Sequence, residues 1–265
     1  MLNKQVNSNT NCKIYLKKEH SKGENGSILI IGGSAFFTGA PYFTAKAALK
    51  TGSEIIFIYC DDLECRLALK SLLPEAAVGK IEFNVRILNK ITACVIGPGM
   101  GRISDSTLNL ISKIIEFLND KEIPFIFDAD IIHYYKKGMF NHLKFLILTP
   151  NSHEAINLNV NEKHICIYKG VIDILKYPIN QEIKLVYDYT CNKRIGGQGD
   201  MLSGMLATFV SNCTKSTDEY VKVSVIGCKL MRYVSHLTFE QKGYTMITTD
   251  ILKHLNKSTI KFFNK

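Results

Sequence analysis

Short apolar runs punctuate this chain at Ile28–Ile31, Glu54–Cys60, Ala93–Ile96, Phe125–Phe127, Phe145–Leu148 and His164–Tyr168. They are continuous rather than alternating, as in strands covered on both faces of a parallel sheet. Helical periodicity lies between several of them. Leu108, Ile111, Ile115 and Leu118 recur at helical spacing, and Ala40, Ala45, Ala47 and Ala48 offer a small face for close packing on a sheet. Tyr177-Pro178-Ile179-Asn180 reads as a turn, and its flanking runs as a hairpin at the sheet edge. Beyond Asp200 the pattern is wholly helical. Met201, Leu202, Met205, Leu206, Phe209 and Val210 form one stripe, and a second helix is expected over about Asp218–Phe239. Alternating strand and helix predicts a layered α/β fold with right-handed crossovers. There is no long linker, low-complexity tract or internal repeat, so one domain is expected over residues 1–265, with 1–18 poorly ordered.

Composition narrows the classes. An apolar fraction of 46% is far too high for disorder. The longest apolar run, Ile55–Cys60, is strand-sized and well short of the ~18 residues a membrane span needs. Met1–Gly26 is polar, of mixed charge and free of Arg, unlike a secretory signal or a transit peptide, so a cytoplasmic chain is expected. The eight cysteines (12, 60, 65, 94, 166, 191, 213, 228) include no C-x-x-C pair, and Cys60, Cys94, Cys166, Cys213 and Cys228 lie in apolar segments. Neither a disulfide framework nor a zinc site is expected.

The charge is +9, from 33 Lys+Arg against 24 Asp+Glu. A polyanionic small ligand accounts for it better than nucleic acid, since no RNA-binding aromatic signature accompanies it. Lys253, Lys257, Lys261 and Lys265 would line one helix face opposite Leu252, Leu255 and Phe262, which reads as a solvated face. The rival is a basic protein using that stripe on nucleic acid or an acidic membrane; it leaves the following pattern unexplained.

Nearly every expected strand runs into an unusual cluster. Ile28–Ile31 is followed by Gly32-Gly33-Ser34 and Thr38-Gly39-Ala40-Pro41, and Ala93–Ile96 by Gly97-Pro98-Gly99-Met100-Gly101. Phe125–Phe127 is followed by Asp128-Ala129-Asp130, Phe145–Leu148 by Thr149-Pro150-Asn151, and His164–Tyr168 by Lys169-Gly170. In an open α/β sheet these are the carboxyl ends of parallel strands, where ligands bind. The sharpest cluster is Gly196-Gly197-Gln198-Gly199-Asp200, directly before a helix. Its glycines let backbone N–H groups approach a ligand, and the helix start adds orphan N–H groups and a positive dipole end, together an anion hole for a phosphoryl group. Asp200 is either a helix cap or a general base beside a transferring phosphate. The G-K-[ST] of a Walker loop is missing.

Together, and with Lys22-Gly23-Glu24-Asn25-Gly26, Tyr42-Phe43, Arg102, Glu154, Asp173 and Met201-Leu202-Ser203-Gly204, these motifs resemble the ribokinase-like superfamily, and within it the ATP-dependent NAD(P)H-hydrate dehydratases. Only residues before about Lys18 lie outside the resemblance, and Phe37 stands where the family commonly has Tyr. The resemblance implies a three-layer α/β/α sandwich with a mostly parallel central sheet. It also implies repair of NADH or NADPH hydrated at nicotinamide C6, with ATP as phosphate donor and Mg²⁺ beside it. Asp200 would be the base, kept ionised by the helix dipole, and Gly197, Gln198 and Gly199 the anion hole. Gly101, Asn151, Ser152, His153, Glu154, Ala155, Ile156, Asn157 and Asp200 would contact the hydrated dinucleotide. Lys169, Gly170, Val171, Ile172, Asp173, Lys193, Arg194, Ile195, Gly196, Gly197, Gln198 and Gly199 would hold ATP. Mg²⁺ ligands are not assignable. The epimerase domain of some relatives is not in this sequence, so pairing with a separate epimerase is expected, and a homo-oligomer is compatible.

Bland alternatives stay open for single residues. Asn151 could merely cap a helix after Pro150, Asp128 and Asp130 could end a strand and cap a helix, and Lys169 and Glu154 could be solvated side chains. A second enzyme reading keeps the fold and makes a stable ester: a small-alcohol kinase of hydroxyethylthiazole, hydroxymethylpyrimidine or pyridoxal type.

Overall fold

The computed structural model describes residues 21–263 apart from 179–180, 188 and 190, with the side chains of 261–263 outside that description. In chain order the elements are β1 (Ser27–Ile31), α1 (Gly39–Lys50), β2 (Ile55–Tyr59), α2 (Leu63–Leu72), β3 (Ala76–Gly79), α3 (Val85–Leu88), β4 (Ala93–Ile96), α4 (Asp105–Asp120), β5 (Phe125–Phe127), α5 (Ile131–Lys136), β6 (Leu146–Leu148), β7 (Ile165–Tyr168), β8 (Asp173–Tyr177), β9 (Gln181–Leu185), α6 (Gln198–Ser211), α7 (Thr217–Lys242), a 3₁₀ turn (Gly243–Thr245) and α8 (Thr248–Phe263).

The nine strands form one sheet in the order β3-β2-β1-β4-β5-β6-β7-β8-β9. Pairing is parallel from β3 through β7, and β8 and β9 add an antiparallel hairpin at the edge. The expected strands and hairpin are therefore present; Ile179 and Asn180 of its turn lie outside the described residues. Burial on both faces explains why β1 reads as an uninterrupted apolar run. Ile28 and Ile30 pack on the side of α1, α6, α7 and α8, and Leu29 and Ile31 on the side of α4 and α5. Chain order reverses at β1, so right-handed crossovers place the two sets of helices on opposite faces. The result is a three-layer sandwich with a switch point between β1 and β4. The edge strand β3 and the short α2, α3 and α5 carry no apolar run or long helical period, and sequence patterning passes over them.

The alanine face of α1 meets α6 as well as the sheet. A Cβ on Gly204 would lie 2.0 Å from the Thr44 carbonyl oxygen, so only glycine permits that backbone approach. Thr208 Oγ1 completes the contact by donating to the Ala48 carbonyl at 3.1 Å. In α8, Leu252 and Leu255 are buried and Lys253 and Lys257 exposed, the expected solvated face; the side chains of Lys261 and Phe262, and Lys265, lie outside the described residues. Among the described residues the seven cysteines are free, and no helix is long and apolar enough to cross a membrane.

Candidate active site

The loops leaving the carboxyl ends of β5, β6 and β7 converge on the start of α6. At the end of β5, Ala129 adopts a left-handed conformation (φ 53°), a strain of order 1 kcal/mol for a residue with a side chain. The neighbouring Gly97 (φ 113°) makes this possible, because a Cβ there would collide with the Asp128 carbonyl at 1.9 Å. The kink turns the two aspartates different ways. Asp130 begins α5 without capping it and instead accepts from the Gly101 N–H at 2.7 Å. Asp128, only 2% exposed, accepts from Thr149 Oγ1 at 2.8 Å and from Lys169 Nζ at 2.7 Å. Burial opposes the charge on Lys169, yet Asp128, Glu154 and Asp200 together raise its pKa. Lys169 is therefore a firmly held cation and not a surface lysine.

Gly197 is the N-cap of α6, at φ 95°. A side chain there would strike Thr248 and Phe43, so the bend demands glycine twice over. Among the described residues no acceptor takes the N–H groups of Gly197, Gln198 or Gly199. They are orphan donors of a helix start, open to an anion. The Gln198 side chain turns away and donates to Ser235 Oγ at 3.3 Å.

Asp200 is the third residue of α6, in its first turn, so it is not the N-cap. Its expected ionisation by the helix dipole is corrected here. Burial, then the charge of Asp128, push its carboxyl up to about 7, outweighing Lys169 and its own backbone N–H. Glu154 is likewise raised, first by burial. Three carboxylates thus crowd one cation.

These groups border a cavity of about 340 Å³. Arg194 stands at it without a partner among the described residues, and Cys191, Ile195, Leu202, Cys228 and Met231 supply apolar wall. An anion hole, a carboxylate and a partly buried lysine beside an apolar slot are the parts needed to move a phosphoryl group from a nucleotide. Residues 28–257 match the family described as NAD(P)H-hydrate dehydratase. The chain belongs to that family. A relative from Pediculus humanus subsp. corporis, called ATP-dependent (S)-NAD(P)H-hydrate dehydratase, is 34% identical, the match covering 91% of this chain and 92% of that protein. The fold is similar to a ribokinase-like superfamily protein from Enterococcus faecalis (TM-score 0.75, 19% identity, 94% of this chain and 91% of that one). It is also similar to the Bacillus subtilis ADP/ATP-dependent NAD(P)H-hydrate dehydratase co-crystallised with ATP/Mg²⁺ (TM-score 0.70, 17% identity, 94% of each chain).

In this dehydratase-family chain the cavity brings together only part of the expected set. Lys169, Gly170, Asp173, all of Lys193–Gly199, Asp200, Asn151, Ser152 and Glu154 line it. His153, Ala155, Ile156 and Asn157 do not, and Ile156 points outward at 58% exposure. Asn151 spends its side chain locally. It accepts from the N–H groups of His153 and Glu154 and donates to Glu154, which in turn accepts from the Asn151 N–H. This is capping-box logic around a turn rather than a helix. Val171 and Ile172 are exposed at 88% and 49% and lie off the cavity, because Gly170 folds the loop back on the Ile172 carbonyl. Lys193 borders the cavity, but its ammonium is held by the carbonyls of Tyr244 and Met246 at 2.6 and 2.8 Å. Gly101 lines neither this cavity nor a second crevice, which its neighbours Met100 and Arg102 border; its N–H is held by Asp130.

Sequence reading passed over Arg232. It clamps Asp173 through two nitrogens at 3.0 and 2.6 Å and donates to the Gly170 carbonyl at 2.5 Å. Tyr187 Oη adds a bond to Asp173 at 2.7 Å. The available signal was a lone arginine between buried Met231 and Val234 of α7. Asp173 therefore holds the Lys169–Asp173 loop from below, with its carboxylate occupied.

Among the described residues no cluster of three or more His, Cys, Asp or Glu could cage a metal ion. A single carboxylate at the cavity, Asp128 or Glu154, fits a Mg²⁺ that takes its other ligands from phosphates and water.

Proposed function

We propose that this protein performs the ATP-dependent dehydration of NADH or NADPH hydrated at nicotinamide C6, using Asp200 as the general base. The supporting observation is the Asp200 carboxylate, raised to about 7, beside three unpaired N–H groups and Lys169 in one cavity. A base titrating near the operating pH transfers protons most efficiently.

Asp200 takes the proton of the C6 hydroxyl as its oxygen attacks the γ-phosphorus of ATP. The new O–P bond forms while the bond to the ADP oxygen breaks. The N–H groups of Gly197, Gln198 and Gly199 hold the equatorial oxygens of the moving group, and Lys169 and Arg194 offset its charge. Hydroxide is a poor leaving group and phosphate a good one. The ring-nitrogen lone pair expels phosphate from C6, and loss of a C5 proton to the departing phosphate restores the dihydronicotinamide. Mg²⁺, held by phosphates with Glu154 or Asp128, would neutralise the triphosphate. Asp173 and Arg232 keep the ATP loop rigid and take no proton.

Incubation with ATP and NADH hydrate should restore dihydronicotinamide absorbance, with one ADP and one phosphate released per dinucleotide. A stable phosphate ester without recovered absorbance would replace this reading with the kinase.

A further inference from the structure

The glycine bend before α6 is held from behind by the segment Gly243–Thr248, which leads into α8. The carbonyls of Tyr244 and Met246 take the Lys193 ammonium at 2.6 and 2.8 Å, and Thr248 Oγ1 donates to the Gly196 carbonyl. We infer that Thr248 is a positioning residue for phosphoryl transfer: its hydroxyl fixes the peptide between Gly196 and Gly197 so that the Gly197 N–H faces the nucleotide cavity. The inference rests on the reading of that N–H as part of the anion hole.

This peptide unit is planar and trans, so its C=O and N–H point opposite ways. Gly196 and Gly197 line the cavity and Thr248 does not. A donor that draws the Gly196 carbonyl back therefore turns the Gly197 N–H forward, where no acceptor among the described residues takes it. Sterics alone do not choose this orientation. Glycine on both sides lets the peptide turn over at little cost, and a Cβ on Gly196 would meet nothing within 4 Å. The bond from Thr248 selects one orientation of the two. Thr248 also grips at a second point, because its Cγ2 lies 2.7 Å from where a Cβ on Gly197 would sit. At 6% exposure it is shielded from water that would compete for the carbonyl.

The test compares Thr248→Val, which keeps the methyl group and loses the hydroxyl, with Thr248→Ser, which keeps the hydroxyl. Each is titrated with a non-hydrolysable ATP analogue and with ADP, Mg²⁺ and aluminium fluoride, whose planar anion mimics the moving phosphoryl group. The repair assay supplies kcat and KM for ATP. Thr248→Val should lose about tenfold or more in kcat and in affinity for the fluoride complex, since a misdirected oxyanion donor forfeits transition-state stabilisation. Its KM for ATP and its affinity for the analogue should stay within about threefold of the parent's. Thr248→Ser should recover most of the loss. If the valine variant does not fold, Thr248→Ala is read in the same way. Four results would overturn the proposal: no gain in ADP affinity from fluoride in the parent, parent-like kcat and fluoride affinity in Thr248→Val, a loss shared equally by the ATP analogue, or a loss that serine does not reduce. The fluoride titration needs no second substrate. A parent that binds the complex yet restores no absorbance therefore refutes the dehydratase reading, while the valine and serine variants still decide the role of Thr248.

Discussion

Lys169 Nζ lies 3.0 Å from the point where a Cβ on Gly199 would sit, and 2.7 Å from Asp128 Oδ1. The missing side chain at the first turn of α6 lets a cation and its carboxylate partner reach the orphan N–H groups. Loop and helix thereby become one anion site.

Asp200→Asn should keep the fold and the affinity for an ATP analogue, because Asp200 caps nothing. Repair turnover should fall at least ~10²-fold. Steady-state kinetics with a parallel binding measurement checks this; near-normal turnover would remove Asp200 from the chemistry.

With its carboxyl raised to about 7, Asp200 is active only when ionised, so kcat/KM for the hydrated dinucleotide should fall about tenfold per pH unit below that value and level off above it. Lys169 holds the value down. Lys169→Met should therefore move the acid limb to higher pH, besides raising KM for ATP.

The same shift has a stability consequence. The ordinary value is 3.8, so between there and about 7 the folded state binds the extra proton, and stability declines as pH rises through that window. Asp200→Asn cannot ionise. Its melting temperature should exceed the parent's at pH 8, with the difference closing toward pH 4.

Gly204→Ala would place a methyl group 2.0 Å from the Thr44 carbonyl oxygen. Despite alanine's better helix propensity, α1 and α6 must part, at a cost of about 1–3 kcal/mol. Thermal melting should register a drop of several degrees.

Arg232→Met leaves Asp173, 3% exposed, with only Tyr187 and the Gly170 N–H. Breaking a buried pair costs about 3–5 kcal/mol, and the 25% exposure of the Arg232 side chain brings the expectation to the low end. KM for ATP should rise together with the loss of stability. Arg232→Lys should rescue little, since one ammonium cannot reach both carboxylate oxygens and the Gly170 carbonyl.

The chain's own pattern was enough for the six doubly covered strands, because burial on both faces leaves no polar position in a run such as Ile28–Ile31. It was also enough for the strand-end clusters and the glycine bend before α6, since those glycines mark close backbone approach and a left-handed bend whatever surrounds them. Tertiary structure decided the rest. Burial first, and then Asp128 with a smaller push from Glu154, residues more than forty positions away, raise the Asp200 carboxyl to about 7. Asp173 faces Arg232 instead of a ligand, and Asn151 closes on Glu154 around a turn instead of capping a helix. Arg102 opens onto a separate crevice, and the Gly101 N–H is taken by Asp130. Motif spacing reports which backbone conformations a loop can take. Charge states and side-chain partners depend on what the folded sheet brings alongside, and that information is spread over the whole chain.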